Sequence, residues 1–459
     1  MGIQRANNGH LVLVPCPLQG HMNPMLHLAK LLHSKGFLIT IVVETHAFSS
    51  HLSDFCFESM DGLSNTLEGD FDGDVVSYLF KLNLKCKAPF LDCLTRLKLK
   101  NPQDPILCII HDSVMYFSVD VSRELGIPRM VLRTSSAANF YGLSLLRQNG
   151  AGPIRGRNLV EPVKEIPFLR FKDMPVFNRS AQEATEKVFN SIEEGTKTAS
   201  AVIWNSLSCL EESIFETIKG EIGAPIFPLG PLNRRSCAGV LGCSLLTEEQ
   251  RCLTWLDRNI PNSVIYVSLG SLITITENEL IEIAWGLANS GLSFLWAIRP
   301  GLVHGSNGVE LLPKEFGKMT RNRSCIVSWA PQQEVLAHKA TGGFLTHNGW
   351  NSTLESICAG VPMLCWPCVG DQKVNARLVS HSWRVGIQLE AKLGRRMIGK
   401  SIRRLMVHKE GREIRDRALQ LKEKVELSLA DGANSCELIK LLSLFKSLKQ
   451  MQRVQKFHS

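Results

Sequence analysis

Apolar positions in this chain come in short runs that alternate with stretches of helical spacing. His10 to Pro17 is an apolar run of strand length. Pro24 opens a stretch with Met25, Leu28, Leu31 and Leu32 at helical spacing, and Gly36 ends it. Phe37 to Val43 is a second apolar run. Strand, helix and strand in this order predict a β-α-β unit with parallel pairing and a right-handed crossover. Runs at Ile106–Ile110, Met130–Leu132 and Ala201–Trp204 predict further buried strands. Ser59–Asp74 is rich in Gly and Asp and predicts a loop. The rhythm breaks near Phe227 to Leu232, and Asn233 to Leu245 has no clear period, which predicts a connector. A second set follows, with strands at Val264–Leu269, Phe294–Ile298, Ile326–Trp329, Gly343–Thr346 and Pro362–Trp366 and a helix at Glu277–Ser290. Two consecutive sets predict an α/β protein of two doubly wound sheets facing a cleft. Ligands should bind at the carboxyl ends of the strands.

Composition adjusts this picture only a little. The 459 residues fit two large domains at roughly 100–200 residues each. With 44% hydrophobic and 21% charged residues, a mainly disordered, collagen-like or fibrous chain is excluded. The formal charge of +9 invites a nucleic-acid or membrane reading. That charge is local, however. From Arg384 to Ser459 there are 18 Lys/Arg and 8 Asp/Glu, and the rest of the chain is near neutral. Ile402 to Leu429 alternates Arg/Lys and Glu around Ile402, Leu405, Ile414, Leu419 and Val425. This predicts an amphipathic helical region with a solvated charged face, and Lys440–His458 reads as a basic tail helix. No nucleic-acid partner is expected.

No apolar window approaches the ~18 residues of a membrane span, and the first apolar run is too short for a signal peptide. Ala6 breaks a myristoylation motif. A cytoplasmic protein without membrane insertion is the expectation. The sequons at Asn178, Asn322 and Asn351 then carry no weight, and the 14 scattered Cys read as free thiols. Cys365-Trp-Pro-Cys368 has no second Cys/His pair spaced to complete a zinc site, so it reads as packing, and no metal is expected.

The segment richest in chemistry is Trp329 to Gln372. A strand ends near His347 and a helix starts near Asn351, so Asn351 and Ser352 stand at a helix N-terminus, which favours an anion. Glu355 lies one turn on and can accept hydrogen bonds from vicinal hydroxyls. Trp329 offers a flat face to a base. Asp371 and Gln372 can take several sugar hydroxyls. Together these groups suit a nucleotide-diphosphate sugar. Val335, Leu336, Val361 and Met363 read as core, and His338 as either a core histidine or a contact. Alone, Trp329 and Trp350 would also be read as packing. In the first half, His21 follows the first strand and Asp112 follows Ile106–Ile110, so both reach the same rim of carboxyl ends. An alcohol is a weak nucleophile at neutral pH and needs a base, and an imidazole needs a carboxylate to orient it.

The 44 residues from Trp329 to Gln372 resemble the signature box of plant family-1 UDP-glycosyltransferases at every fixed position. The similarity runs from Gly20-His21-x-Asn23-Pro24 through Tyr266-Val-Ser-Leu-Gly-Ser271 to Arg403-Arg404-Leu-Met. It is strongest to the group containing steviol-glycoside and cytokinin glucosyltransferases. The resemblance implies two Rossmann-like domains facing a cleft, the GT-B type. It implies an acceptor-binding domain over 1–235, a linker over 236–250, a UDP-sugar domain over 251–438, and a terminal helix over 439–459 that packs back on the first domain.

By the same resemblance, Trp329 stacks on uracil with Ala330 beside it, Gln332 helps hold the nucleoside and Glu355 binds the ribose. His347, Asn351, Ser352 and Ser271 hold the pyrophosphate. Trp350, Asp371 and Gln372 face the sugar, and Gln372 with Trp350 favours glucose. His21 and Asp112 form the catalytic pair. Thr134 or Ser135 stands near the glucose hydroxyls, or serves as a helix cap. Leu18, Val114, Met115, Asn139 and the stretch Ala181–Asn190 line the acceptor pocket. The implied enzyme is a monomer of plant secondary metabolism that binds no cofactor and uses UDP-glucose as co-substrate. It inverts the anomeric centre on transfer to a hydroxyl, nitrogen or carboxyl of a terpenoid, phenolic, flavonoid or cytokinin. Transfer from another UDP-sugar, and a sugar-nucleotide-binding protein without transfer, remain as alternatives.

Overall fold

The computed structural model describes residues 8–43, 55–60, 74–148, 158–174, 182–235, 246–389, 393–430 and 432–458. Most of the connector 233–245, most of the loop 59–74, Ala181 and the sequon at Asn178 lie outside the described residues. The chain groups into two compact units. The first holds Met1–Ala137, Phe177–Cys243 and Ser428–Ser459, and the second Ala138–Val176 and Ser244–Leu427.

The sheet of the first unit contains β1 (His10–Val14), β2 (Leu38–Val43), β3 (Cys56–Ser59), β4 (Ile106–Asp112), β5 (Arg129–Arg133), β8 (Ala201–Trp204) and β9 (Ile226–Pro228). Between them in sequence, β6 (Pro162–Val163) and β7 (Ile166–Arg170) pair as a small antiparallel hairpin in the second unit. The spatial order is β3-β2-β1-β4-β5-β8-β9, all parallel. Parallel strands covered on both faces need apolar residues at nearly every position. β1, β4, β5 and β8 are buried throughout. The second unit contains β10 (Val264–Ser268), β11 (Ser293–Ala297), β12 (Ser324–Val327), β13 (Thr341–Thr346), β14 (Met363–Cys365) and β15 (Gly386–Gln388). These run in the order β12-β11-β10-β13-β14-β15, again all parallel. β3, β9, β15 and the hairpin are too short, and all but β15 also partly exposed or proline-broken, to stand out as apolar runs.

The helix expected from Pro24 begins earlier, at Gln19, and runs to Ser34 with Pro24 inside. A proline this close to the N-terminus forgoes only one ladder bond, to Gly20, so the turn survives. His21 therefore stands in the first turn of this helix and not in a loop. The helix Glu277–Ser290 has the expected limits, with a Thr276–Glu279 capping box at its start and the left-handed Gly291 at its end. The amphipathic region near the end is two helices, Arg395–Met406 and Lys409–Ala430. Ile402, Leu405, Ile414 and Val425 are buried as expected, but Leu419 is exposed.

Gly432–His458 is one long helix and belongs to the first unit. Leu441 and Phe445 enter the core formed by β1, β2, β4, β5 and the helix Gln19–Ser34. The Phe445 ring lies 5.0 Å from that of Phe37, and Gln452 Nε2 donates to the Ile106 carbonyl at 2.9 Å. This segment is thus part of the core more than a basic tail. Phe445→Ala should cost about 3–5 kcal/mol. The effect would be read as an earlier first-unit transition in chemical denaturation, and an unshifted midpoint would show the helix to be dispensable. Among the described residues, no helix is long and apolar enough to cross a membrane.

Candidate functional site

In a doubly wound sheet, ligands bind outside the carboxyl ends of the two strands between which the chain changes direction. In the first sheet these are β1 and β4, since the chain goes from β1 to β2 and β3 on one side and returns to β4 on the other. His21 lies seven residues beyond β1, and Asp112 is the last residue of β4. Their side chains meet, with His21 Nδ1 2.8 Å from Asp112 Oδ2. Asp112 is wholly buried, whereas the His21 side chain is 26% exposed. The other carboxylate oxygen, Oδ1, accepts from the Val114 N–H at 3.0 Å. A carboxylate on Nδ1 holds the proton there and turns Nε2 into the basic nitrogen.

The surroundings fix this pair. Thr134 Oγ1 is 3.0 Å from His21 Nδ1, so this hydroxyl stands against the imidazole itself. Trp204 Nε1 donates to the Ser135 carbonyl at 2.7 Å, and the Arg133 guanidinium lies 5.2 Å over the Trp204 ring. The helix Ala137–Gln148 is capped by the buried Glu211, whose Oε2 accepts from the Ala137 N–H at 3.1 Å and the Ser206 hydroxyl at 2.6 Å. Behind Asp112, His111 Nδ1 donates to the Asp112 carbonyl at 2.9 Å while Arg129 faces His111 Nε2 at 3.4 Å. Burial and then Arg129 push the His111 pKa down to about 4, so it is a neutral strut at pH 7.

In the second sheet the change of direction falls between β10 and β13. The chain leaves β10 through Gly270, whose φ of +74° is left-handed, and then Ser271, which is half-buried. β13 ends at Thr346, next to His347. A Cβ on Gly270 would come within 2.5 Å of His347 Cε1, and one on Gly349 within 2.6 Å of His347 Nε2. The two glycines thus form the slot that holds this imidazole. Burial pushes the His347 pKa down to about 4 and keeps it neutral.

Asn351, Ser352 and Glu355 lie on the helix Trp350–Ala359. Glu355 Oε2 accepts from Gln332 Nε2 at 2.7 Å, and Oε1 from Gln333 Nε2 at 3.3 Å. Gln332 Nε2 also donates to Ser352 Oγ at 2.9 Å, and the Tyr266 hydroxyl donates to Gln332 Oε1 at 3.2 Å. Burial raises the Glu355 pKa to about 7. Gln372 Oε1 accepts from the N–H groups of Cys368 and Val369 at 2.8 and 3.0 Å, which commits the amide oxygen and leaves donors for a ligand. Asn375 Nδ2 donates to Asp371 Oδ2 at 2.9 Å and to the Asn348 carbonyl at 3.0 Å. Asn348 is itself left-handed, with φ 63°. Trp329 is half-buried and Ala330 buried in the loop after β12, which ends at Val327, two residues before the predicted end at Trp329. Trp350 is buried with its ring 6.3 Å from that of Trp383.

Residues 247–410 match the family model described as UDP-glucoronosyl and UDP-glucosyl transferase. The chain is 43% identical over 429 residues to UDP-glycosyltransferase 76B1 of Arabidopsis thaliana, covering 93% of this chain and 95% of that protein. This chain belongs to the plant family-1 UDP-glycosyltransferases. The transferase is also 43% identical over 436 residues to flavonol 3-O-glucosyltransferase UGT76E12 of the same plant, covering 93% and 94% of the two chains. Its structure resembles a UDP-glucosyltransferase from Polygonum tinctorium capable of glucosylating indoxyl, solved with 3,4-dichloroaniline. The TM-score is 0.82 with 28% identity over 95% of this chain and 99% of that one. The two parallel α/β units are those of the GT-B fold.

In the transferase, the expected acceptor residues differ in what they expose. Leu18 precedes the helix Gln19–Ser34 and is nearly buried, and Met115 is core at 1% exposure. Val114 is partly exposed and packs with Phe80, Tyr116 and Phe189 against Val76, Val188 and Ile192. Asn139 is buried in the helix Ala137–Gln148. Asn83 holds the loop after Asp112, with Nδ2 donating to the Val114 carbonyl at 2.8 Å and Oδ1 accepting from the Phe117 N–H at 2.9 Å. Phe80, Asn83, Tyr116, Tyr266, Gln333 and Asn375 were not singled out from sequence as site residues. Asn375 alone left a usable signal, as an amide at i+4 from Asp371, one helical turn on. Cys365 is buried in β14 with its thiol pushed up to about 12 by burial, and Cys368 donates to the Trp366 carbonyl at 3.5 Å. Among the described residues, no group of three or more His, Cys, Asp or Glu is placed to hold a metal.

Proposed function

We propose that this UDP-glycosyltransferase moves glucose from UDP-glucose to a hydroxyl of a hydrophobic small molecule and inverts the anomeric centre. The labour divides by unit, with the second holding the nucleotide sugar and the first supplying the base. The carrying observation is the hydrogen bond from His21 Nδ1 to the buried Asp112, which leaves Nε2 as the basic nitrogen. In the step itself, the acceptor O–H bond breaks toward Nε2 as its oxygen attacks C1. The C1–O bond to the diphosphate breaks, and UDP leaves with the electron pair. The imidazolium so formed is paired with Asp112 and later returns its proton to solvent. Gln372, Asp371 and Glu355 supply the polar contacts that a hexose and a ribose need. Relatives named as glucosyltransferases, one of them acting on a flavonol, support the donor and a phenolic class of acceptor.

A panel of UDP-sugars against terpenoid, flavonoid, phenolic and cytokinin acceptors, read by mass spectrometry, tests the donor and the acceptor class together. The anomeric coupling constant of the product tests inversion. An α-glucoside would refute the single displacement, and UDP-sugar binding without any product would favour a non-catalytic binder.

Glu355 adds a pH prediction. Its carboxyl is held near pKa 7 by burial, while ribose hydroxyls donate best to the ionised form. Binding of UDP-glucose, whose diphosphate diester does not titrate near neutrality, should strengthen as pH rises from about 6 to about 8 and should release a proton at pH 6.5. Calorimetry in buffers of different ionisation enthalpy measures that proton. Glu355→Gln should abolish the release, and equal release by the variant would assign it elsewhere. The stability sign is opposite. A carboxyl with a raised folded pKa favours the fold fully below the unfolded value and loses that contribution as pH climbs through about 7.

A further inference from the structure

Glu249 lies in the linker 236–250 that the resemblance implies, two residues before the helix Arg251–Leu256. Its side chain and backbone both reach the loop that carries Trp329. Oε1 accepts from the Ser328 N–H at 2.6 Å and from the Ser328 hydroxyl at 2.7 Å. The Glu249 N–H donates to the Trp329 carbonyl at 2.9 Å. Oε2 accepts from Arg251 Nε at 2.7 Å, and Arg251 in turn donates to the Ile326 carbonyl at 2.6 Å. Residues 249 and 251 therefore grip the chain at 326, 328 and 329.

The grip falls where it is needed. β12 ends at Val327 and the next helix begins at Gln332, so Trp329 stands on backbone with no ladder of its own. A flat ring stacks on a base only when its plane is held. Small displacements of a binding group cost disproportionately. Ser328 is exposed and Glu249 sits at the surface, so this set of bonds contributes little core packing.

We infer that Glu249 is a positioning residue for the nucleotide site, acting through the Trp329 loop. The inference rests on the reading of Trp329 as the base-stacking residue, and the test separates the two. Full-length wild type, Glu249→Ala, Glu249→Gln, Trp329→Ala and the Glu249→Ala/Trp329→Ala double variant are compared. The readouts are KM for UDP-glucose, kcat, UDP affinity by calorimetry and thermal midpoint.

Glu249→Ala should raise both KM for UDP-glucose and the UDP Kd by about tenfold, leave kcat within about twofold and leave the thermal midpoint nearly unchanged. Glu249→Gln keeps one acceptor and should fall between. In the Trp329→Ala background the Glu249 change should add less than about twofold, as expected for residues acting through one contact. Unchanged KM and Kd in Glu249→Ala would overturn the inference, as would a full tenfold effect persisting without Trp329. Should Glu249→Ala not fold, the same two comparisons are made with Glu249→Gln. Trp329→Ala binding UDP as well as wild type would overturn the stacking role itself.

Discussion

Replacing His21 with alanine will lower kcat by about 10²–10⁴-fold, the range that a positioned general base contributes, while UDP-glucose affinity stays within about twofold. The reason for the split is that His21 belongs to the first unit, whereas Gln332, Ser352, Glu355, Asp371 and Gln372 belong to the second. Without Nε2 the acceptor proton has only water to go to, and the attacking oxygen keeps its weak nucleophilicity. The measurement is steady-state kinetics with calorimetry for the donor. Retained turnover would remove His21 from the role of base. Residual activity that recovers on adding imidazole would support the role, because a diffusible base would then replace the missing one.

Asp112→Asn will be nearly as severe, at roughly 10³–10⁴-fold in kcat, and for a sharper reason. An asparagine can still accept from the Val114 N–H through its oxygen, which turns its NH₂ toward His21. That NH₂ donates to Nδ1, so the imidazole must carry its proton on Nε2, where the lone pair was needed. Thr134 Oγ1, 3.0 Å from the same Nδ1, can donate in the same sense and reinforce the wrong tautomer. The variant should fold, bind donor normally and fail in chemistry. Nitrogen chemical shifts of the His21 ring would report the tautomer directly. Loss of activity with an unchanged Nδ1–H tautomer would assign Asp112 an electrostatic role instead.

Much of the fold could be read from the sequence because parallel strands buried on both faces must be apolar along their length. β1, β4, β5, β8, β10 and β13 met that condition. β3 and β15 did not, and the local hairpin β6–β7 is too short and too mixed in burial to stand out. His21 and Asp112 were legible for a geometric reason, since each closely follows an apolar run and carboxyl ends of parallel strands share a rim. The side of the helix on which His21 lies was not, because Pro24 suggested a later start than Gln19. The contents of the Trp329–Gln372 segment were legible, but the partners that hold them were not. Glu249 is 80 residues upstream of Trp329, and no periodicity connects a surface glutamate to a loop that far along the chain. The thiols of Cys365 and Cys368 read as packing because one C-x-x-C has no companion, and burial keeps both protonated.

The helix Gly432–His458 has a consequence for how the protein is made. The first strand of the first unit is β1, yet Leu441 and Phe445 of its core are joined only after the last strand of either sheet. A ribosome delivers the strands of that sheet long before it delivers this helix. The face that Phe445 will cover, including Phe37, must stay open while more than half the chain is still being synthesised. The second unit lacks this dependence, since its segments end at Leu427. Synthesis order and folding order therefore run in opposite senses for the two units. The sheet that is made first is covered last, and a stop codon between β15 and this helix would strand it uncovered.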